Sequence, residues 1–277
     1  MARQRLTLPE AAEELGVHYM TAYRYVRTGR LPAKRVGGAW EIDPADLRLV
    51  RRSGPGVRRR PATGPGPSGP RLQARLVAGD EAGAWTLLEA ALASEATPED
   101  LLLELIAPTL RAIGTSWERG ELSVADEHRA SAVATRLISR LGARFGRRGV
   151  KRGTVILAGA PGELHALPVA IAANLLRWRG FDVVELGADT PAEALAEAVA
   201  GEPDLVAVGI ACTTGDGSRS VRRAIALVHR ASPGVPILLG GAGIADQDHA
   251  RKLGADIFTG ARADEVVRAV ETILAGE

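Results

Sequence analysis

From Gly153 to the C-terminus, short β-branched runs alternate with amphipathic helical stretches, and no other feature of the 277-residue chain constrains its fold as strongly. Strands are expected over Thr154–Ala158, Asp182–Leu186, Leu205–Ile210, Pro236–Leu239 and Asp256–Phe258. Helices are expected between them over Leu167–Arg179, Pro191–Ala200, Ser218–Ala231 and Ala245–Leu253, with Asp264–Leu274 last. Strand–helix alternation of this kind predicts an α/β doubly wound parallel sheet of Rossmann-like type. Ligands of such sheets sit at the carboxyl ends of the strands, so the loops after Ala158, Ile210, Leu239 and Phe258 are the ones to watch.

Ahead of the sheet the apolar period is helical. Ala84–Ser94, Pro98–Trp117 and Val124–Phe145 carry apolar residues three and four apart, and with a shorter helix near Leu72–Val77 they predict a four-helix bundle. Thr97-Pro98-Glu99-Asp100 has the chemistry of a helix start: an N-cap, a first-turn proline and two early acids. Ser123, with Asp126 three residues on, is a second such start. Ser53–Arg71 is dense in Gly and Pro, has almost no apolar content, and reads as a linker containing the Arg58-Arg59-Arg60 cluster. The expected order is therefore 1–52, a small domain; 53–71, linker; 72–148, bundle; 149–277, sheet domain.

Charge divides the same way. Residues 1–71 hold 14 Lys and Arg against 6 Asp and Glu, while the remainder holds 21 against 27, so the net +2 conceals a basic front and an acidic back. Such a front suits an anionic polymer, although surface arginines also serve plain solubility. No apolar run is long enough to span a membrane, the opening MARQRLTLPEAAEELG lacks a signal peptide's apolar stretch, and the single Cys212 fits a reducing compartment. A cytoplasmic protein is expected.

Within the basic front, a helix over Pro9–Leu15 ends at Gly16, a second follows over Tyr19–Thr28 and ends at Gly29, and Lys34–Ile42 has the pattern of a hairpin turning at Gly37-Gly38. That is a helix-turn-helix followed by a wing, the alternative being a small protein–protein adaptor. Tyr23, Arg24 and Arg27 would face a DNA groove, and Lys34 and Arg35 would meet phosphates; Trp40 reads as wing packing. The segment resembles the winged helix-turn-helix of the MerR and excisionase families in its Gly16-Val17, the aromatic–Arg pair Tyr23-Arg24, GRLPA and RVGG-x-W.

The sheet domain has no Walker loop, no cysteine pair and no evident Ser-His-Asp arrangement; Gly240-Gly241-Ala242-Gly243 lacks dinucleotide spacing. It does have a histidine in the first β–α loop, with Glu163 two residues before His165. Alone, a loop histidine is most simply a surface residue; beside a carboxylate that orients it, a neutral imidazole is also a metal ligand. Glu163-x-His165, Thr213 in the next strand loop and Gly240-Gly241 together resemble the cobalamin-binding domain of methionine synthase and its relatives. The resemblance implies His165 as the lower cobalt ligand, Glu163 as its neighbour with Leu164 between them, and Thr213, Gly240 and Gly241 beside the cofactor's displaced nucleotide tail. Three positions depart from the pattern: Glu163 stands for Asp, Pro168 for Gly and Ala211 for Ser.

The bundle carries Trp117-x9-Glu127-His128, in SWERGELSVADEH. Each has a plain structural reading, Trp117 as bundle core and Glu127 and His128 as a solvated helix face. Together they resemble the signature of the CarH and LitR family of cobalamin photoreceptors, in which the bundle caps the upper corrin face. The resemblance implies an adenosylcobalamin-binding, light-responsive transcription regulator that is not an enzyme and that binds double-stranded operator DNA as a light- or cofactor-dependent dimer or tetramer. Glu118 departs from it, since the family has a histidine there that takes cobalt after illumination, and a carboxylate is the poorer ligand for low-spin cobalt(III). His128 is a substitute ligand to consider. A light-insensitive cobalamin or redox sensor and a corrinoid methyl-transfer protein stay open as alternatives.

Overall fold

The computed structural model describes residues 5–15, 22, 25–26, 31–36, 39–51, 69–144, 151–214 and 218–276. The chain divides into two compact units, Met1–Thr63 and Gly64–Glu277.

The first unit contains β1 (Leu6–Thr7), α1 (Leu8–Leu15), β2 (Lys34–Val36), β3 (Ala39–Ile42) and α2 (Pro44–Arg51). The strands form an antiparallel sheet in the order β1-β3-β2, with Arg35 opposite Trp40. The hairpin is thus present as the wing pattern requires. β1 and α2 were not expected: a two-residue strand has no period to detect, and α2 is announced only by Asp43, whose Oδ1 accepts from Ala45 N at 2.9 Å. Of the expected helix Tyr19–Thr28, residues 22, 25 and 26 are described, and they are helical. Ala22 and Val26, one turn apart, join Leu8, Ala11, Ala12, Leu31, Ile42 and Leu47 in one core. Gly16, His18, Gly29, Gly37 and Gly38 lie outside the described residues, as do 52–68.

The second unit opens with the bundle: α3 (Gly69–Ala78), α4 (Glu81–Ala93), α5 and α6 (Val124–Gly142). Gly69–Arg71, assigned by composition to the linker, form the first turn of α3; Pro70 sits where a missing N–H costs nothing, and Leu72 and Leu76 are fully buried just after it. α5 runs through Pro98–Asp100, a π-helical stretch Leu101–Ile106 and Ala107–Glu118. The π stretch, which the periodicity does not reveal, precedes Pro108; a proline there cannot donate to the carbonyl four residues back, and Ala107 N bonds Leu102 O, five back. Both expected helix starts are capping boxes: Thr97 with Asp100, and Ser123 with Asp126.

The sheet domain follows as β4 (Thr154–Gly159), α7 (Leu167–Trp178), β5 (Asp182–Gly187), α8 (Ala192–Ala200), β6 (Leu205–Ala211), α9 (Ser218–Ala231), β7 (Ile237–Gly240), α10 (Gln247–Leu253), β8 (Ile257–Phe258) and α11 (Ala263–Ala275). The strands are parallel and ordered β5-β4-β6-β7-β8, so the order reverses between β4 and β6. On one face Ile156, Val208 and Ile210 pack with residues of α8, α9 and α10. On the other, Val155, Leu157 and Leu238 share a single core with α7, α11 and the bundle helices. Asn174, buried on α7, donates to Ile138 O of α6 at 3.2 Å, and Arg179 pairs with Glu99 of α5 at 2.7 Å, which tie bundle to sheet. Among the described residues no helix is long and apolar enough to cross a membrane.

Candidate functional site

The reversal between β4 and β6 leaves the loops that follow them diverging at the carboxyl edge, where a ligand of this fold has access to the sheet. The loop after β4 carries Glu163, Leu164 and His165; the segment after β6 carries Cys212 and Thr213. Their backbones are pinned. Ala160 N donates to Ala211 O at 2.9 Å, Asp189 N to Glu163 O at 2.7 Å, and Gly162 N to Asp189 Oδ1 at 2.7 Å. Asp189 holds a left-handed φ of 45°, a conformation that short polar side chains tolerate best. Sequence reasoning passed over it, although its place one residue before the Thr190-Pro191 helix start was a usable signal.

Within this frame the side chains form a bonded triad. Glu163 is 2% exposed, and its Oε1 lies 2.5 Å from His165 Nδ1 and accepts from His165 N at 2.9 Å. Its Oε2 accepts from Thr213 N and from Thr213 Oγ1, the latter at 2.7 Å. Thr213 Oγ1 also lies 2.8 Å from His165 Nδ1. Burial pushes the Glu163 carboxyl upward, but the hydroxyl and N–H of Thr213 and the N–H and ring of His165 together hold it below the usual carboxylate range. An ionised carboxylate can only accept at Nδ1, so Nδ1–H is the donor and the lone pair of the neutral imidazole is on Nε2. The His165 side chain is 61% exposed. A buried anion therefore fixes the tautomer of an outward imidazole with one nitrogen free to bind a metal, the arrangement a lower cobalt ligand needs. Burial, and then the Glu163 charge, push the neighbouring Cys212 thiol up, so it stays protonated and donates to Thr214 O.

One departure from the family pattern has a structural counterpart. Pro168 is the second residue of α7, where a proline is tolerated. Gly240 and Gly241 also sit where the fold itself leaves no room for a side chain. A Cβ on Gly241, whose φ is 114°, would meet Cys212 O, and one on Gly240 would meet Thr259 Oγ1. Neighbouring chain occupies the space that a side chain would take.

On the bundle, Trp117 and Glu118 end α5 and are exposed, Trp117 by 45%. Gly120, at a φ of 72°, turns the chain, and Ser116 Oγ donates to Glu121 at 2.9 Å to close the corner. At the start of α6, Glu127 Oε1 accepts from Ser131 Oγ at 2.6 Å, and Glu127 Oε2 lies 2.9 Å from His128 Nδ1. Glu127 and His128 are thus brought together. Among the described residues no hydrogen bond or ion pair joins this pair to Trp117, Glu118 or the His165 triad. Val124 (55% exposed) and Leu164 (77%) are large apolar side chains left open beside these groups in sequence; Val124 was missed, because a first-turn valine looks like core.

In the first unit Lys34 and Arg35 are exposed on β2, and the Arg35 guanidinium lies 5.9 Å from the Trp40 ring centroid. Trp40 packs against the small core, as wing packing requires. Tyr23, Arg24 and Arg27 lie outside the described residues.

A parallel sheet with an oriented histidine at its switch point, preceded by a helical bundle and a winged unit, defines a cobalamin-binding protein with a DNA-binding front. The B12 binding domain family matches residues 153–270, a second B12 binding domain family matches 70–141, and a helix-turn-helix domain family matches 5–53. The chain belongs to the B12-binding proteins, in the arrangement of CarH-type cobalamin-binding transcription regulators. It is 36% identical to the HTH-type transcriptional repressor CarH of Myxococcus xanthus over 162 residues, 57% of this chain and 52% of that one, so it spans about half the length of that relative. It is also 29% identical to dimethylamine corrinoid protein 3 and 27% identical to trimethylamine corrinoid protein 1, both of Methanosarcina acetivorans. Those matches cover 65% and 70% of this chain and 85% and 91% of the relatives. The fold of the monomethylamine corrinoid protein of Methanosarcina barkeri superposes with a TM-score of 0.63 at 19% identity, over 73% of this chain and 96% of that one.

Proposed function

We propose that the chain is a transcriptional repressor whose grip on operator DNA is set by adenosylcobalamin and by light. The observation that carries this reading is the Glu163–His165–Thr213 triad, an imidazole held in the tautomer that presents Nε2, in the same chain as a winged helix-turn-helix. His165 holds the cofactor from below, Glu163 fixes its ring, and Thr213, Gly240 and Gly241 line the neighbouring sheet edge. Trp117, Glu118, Glu127 and His128 face the cofactor from the bundle, with Val124 and Leu164 as apolar cover. Bound adenosylcobalamin supplies a cobalt–carbon bond that light breaks.

In the dark, Trp117 and its neighbours close over the cofactor, and the closed form assembles into a dimer or tetramer whose several winged helices hold DNA together. On illumination the bundle no longer touches the adenosyl group, the assembly separates and DNA is released. Lys34 and Arg35 contact phosphate, and Tyr23, Arg24 and Arg27 read the groove. The scheme needs no turnover, so the chain is a switch rather than an enzyme and acts in the cytoplasm.

The test is an absorbance spectrum of the protein with adenosylcobalamin before and after green light, for wild type and His165→Ala, with each sample run on a sizing column. Wild type is expected to bind, to change spectrum and to become smaller after light. An unchanged size under light defeats the light-driven part and leaves a cobalamin sensor, the second reading, which Glu118 favours by replacing the family's second cobalt ligand. Methyl transfer to a thiol acceptor points instead to a role like that of the dimethylamine and trimethylamine corrinoid proteins, although residues 5–53 have no place in a methyl carrier.

A further inference from the structure

α9 is the most lopsided helix of the sheet domain in charge. Val221, Ala224, Ile225 and Val228 bury one face, and the other carries Arg219, Arg222, Arg223 and Arg230, all exposed. The helix has no carboxylate, although residues 72–277 as a whole carry 21 Lys and Arg against 27 Asp and Glu. Arg223 is committed to Glu193 of the adjoining α8. Arg219, Arg222 and Arg230 form no hydrogen bond or ion pair among the described residues. Spaced at i, i+3 and i+11, they lie on one side of the helix and span about 16 Å along it, given a rise of about 1.5 Å per residue. Three guanidinium groups held in a line on a rigid helix, with no carboxylate on that helix, present a charge complementary to an anion of similar reach.

We propose that this arginine stripe is a second DNA-contacting surface, which binds backbone phosphates of duplex DNA. A duplex carries one negative charge per about 1.7 Å of axis, so a stripe of this length meets several phosphates without reading sequence. A second copy of the chain fits less well: among the described residues Glu193, the carboxylate paired with this helix, is already taken by Arg223 within the same chain. The proposal rests on the DNA-binding reading of the winged unit, and its test separates the two.

The experiment uses the full chain loaded with adenosylcobalamin in the dark and a fluorescein-labelled random-sequence 40-base-pair duplex, titrated over a range of salt concentrations. Wild type is compared with Arg219→Gln/Arg222→Gln/Arg230→Gln and with the wing variant Lys34→Gln/Arg35→Gln, and cofactor spectrum and sedimentation are recorded for each. For the stripe variant the slope of log affinity against log salt is expected to become shallower by about 2 to 3, at about 0.9 for each phosphate that is no longer neutralised. Its spectrum and assembly size are expected to match wild type. An unchanged slope overturns the stripe proposal and leaves the winged unit untouched. A smaller assembly, with or without a change in slope, also overturns it and makes the stripe an interface between copies. If wild type binds no duplex at any salt concentration, the reading of the winged unit falls, and the stripe proposal with it.

Discussion

The two halves of the proposed cofactor site are built to opposite standards. The sheet half is finished: Glu163 is buried, satisfied by His165 and by Thr213, and its loop is clamped by Ala211 and Asp189. The bundle half is open: Trp117, Val124 and His128 are exposed, and the bonds of Glu127 go to its own helix. A ligand-binding half that is bonded before the ligand arrives loses little freedom on binding, whereas an exposed apolar half gains by being covered. A switch needs both, one part that holds the cofactor in every state and one whose interactions depend on what the cofactor carries.

The sharpest test removes the held part. His165→Ala is expected to weaken cobalamin binding by more than the 10- to 100-fold that loss of a partner behind a metal ligand typically costs, and to return the spectrum of bound cofactor toward that of free cobalamin. Absorbance titration measures both. Affinity equal to wild type places the grip on the bundle and reverses the comparison. Next in size is Glu163→Gln, which keeps the shape but sets an amide against the donors of Thr213 and His165. A loss of about 10- to 100-fold in affinity is expected, with the cofactor-free protein destabilised by about 2 kcal/mol in urea. Glu163→Asp, the family's own residue, is expected to restore most of the binding; failure to do so means that the longer side chain was chosen for this backbone.

Trp117→Ala probes the open half and is expected to split its effects. The cofactor-free protein stays within about 0.5 kcal/mol of wild type, as for a surface substitution, while affinity for adenosylcobalamin falls about 5- to 30-fold, worth one to two kcal/mol. Affinity for hydroxocobalamin, which lacks the adenosyl group, is expected to change less. A fall of about 3 to 5 kcal/mol in the stability of the cofactor-free protein, the cost of truncating a buried tryptophan, makes Trp117 bundle core and ends the contrast.

The held half was also the more legible one. The carboxyl-edge rule and the Glu163-x-His165 spacing pointed to the loop, and strand alternation located all five strands of the sheet, because a buried parallel strand leaves a dense β-branched run. The position of Asp189 was not legible, since a left-handed φ of 45° is a property of the folded loop and not of the letters Ala188-Asp189-Thr190. The same holds for Gly241, whose neighbour Cys212 is 29 positions away in the chain, and for the π stretch Leu101–Ile106, whose apolar residues fit an α-helix equally well. Trp117, Glu127 and His128 enter the proposed site by family resemblance and not by pattern. Exposed residues carry no period, so an unfinished half looks like any solvated surface.

The smallest expected effect concerns what orients that surface. Glu127 and His128 occupy the first turns of α6, and their direction is set by the Ser123–Asp126 capping box, in which Asp126 N bonds Ser123 Oγ at 3.2 Å and Ser123 Oγ bonds Asp126 Oδ2 at 2.6 Å. Ser123→Ala is expected to cost about 1 kcal/mol, read by urea unfolding. Its pH dependence identifies the cause. The Ser123 hydroxyl and then its N–H hold the Asp126 carboxyl below its ordinary value of 3.8, against an upward push from burial that is smaller than either, with Arg129 adding to the lowering. A carboxyl lowered by folding contributes fully above its ordinary value, and the contribution is lost as pH falls through the folded one. The gap between wild type and Ser123→Ala is therefore expected to be constant from pH 7 to pH 5 and to narrow below about pH 3.8. A gap that persists undiminished into strong acid would show that the serine acts through its backbone bond alone. The cap would then work without the Asp126 charge, and the direction of Glu127 and His128 would not change with pH.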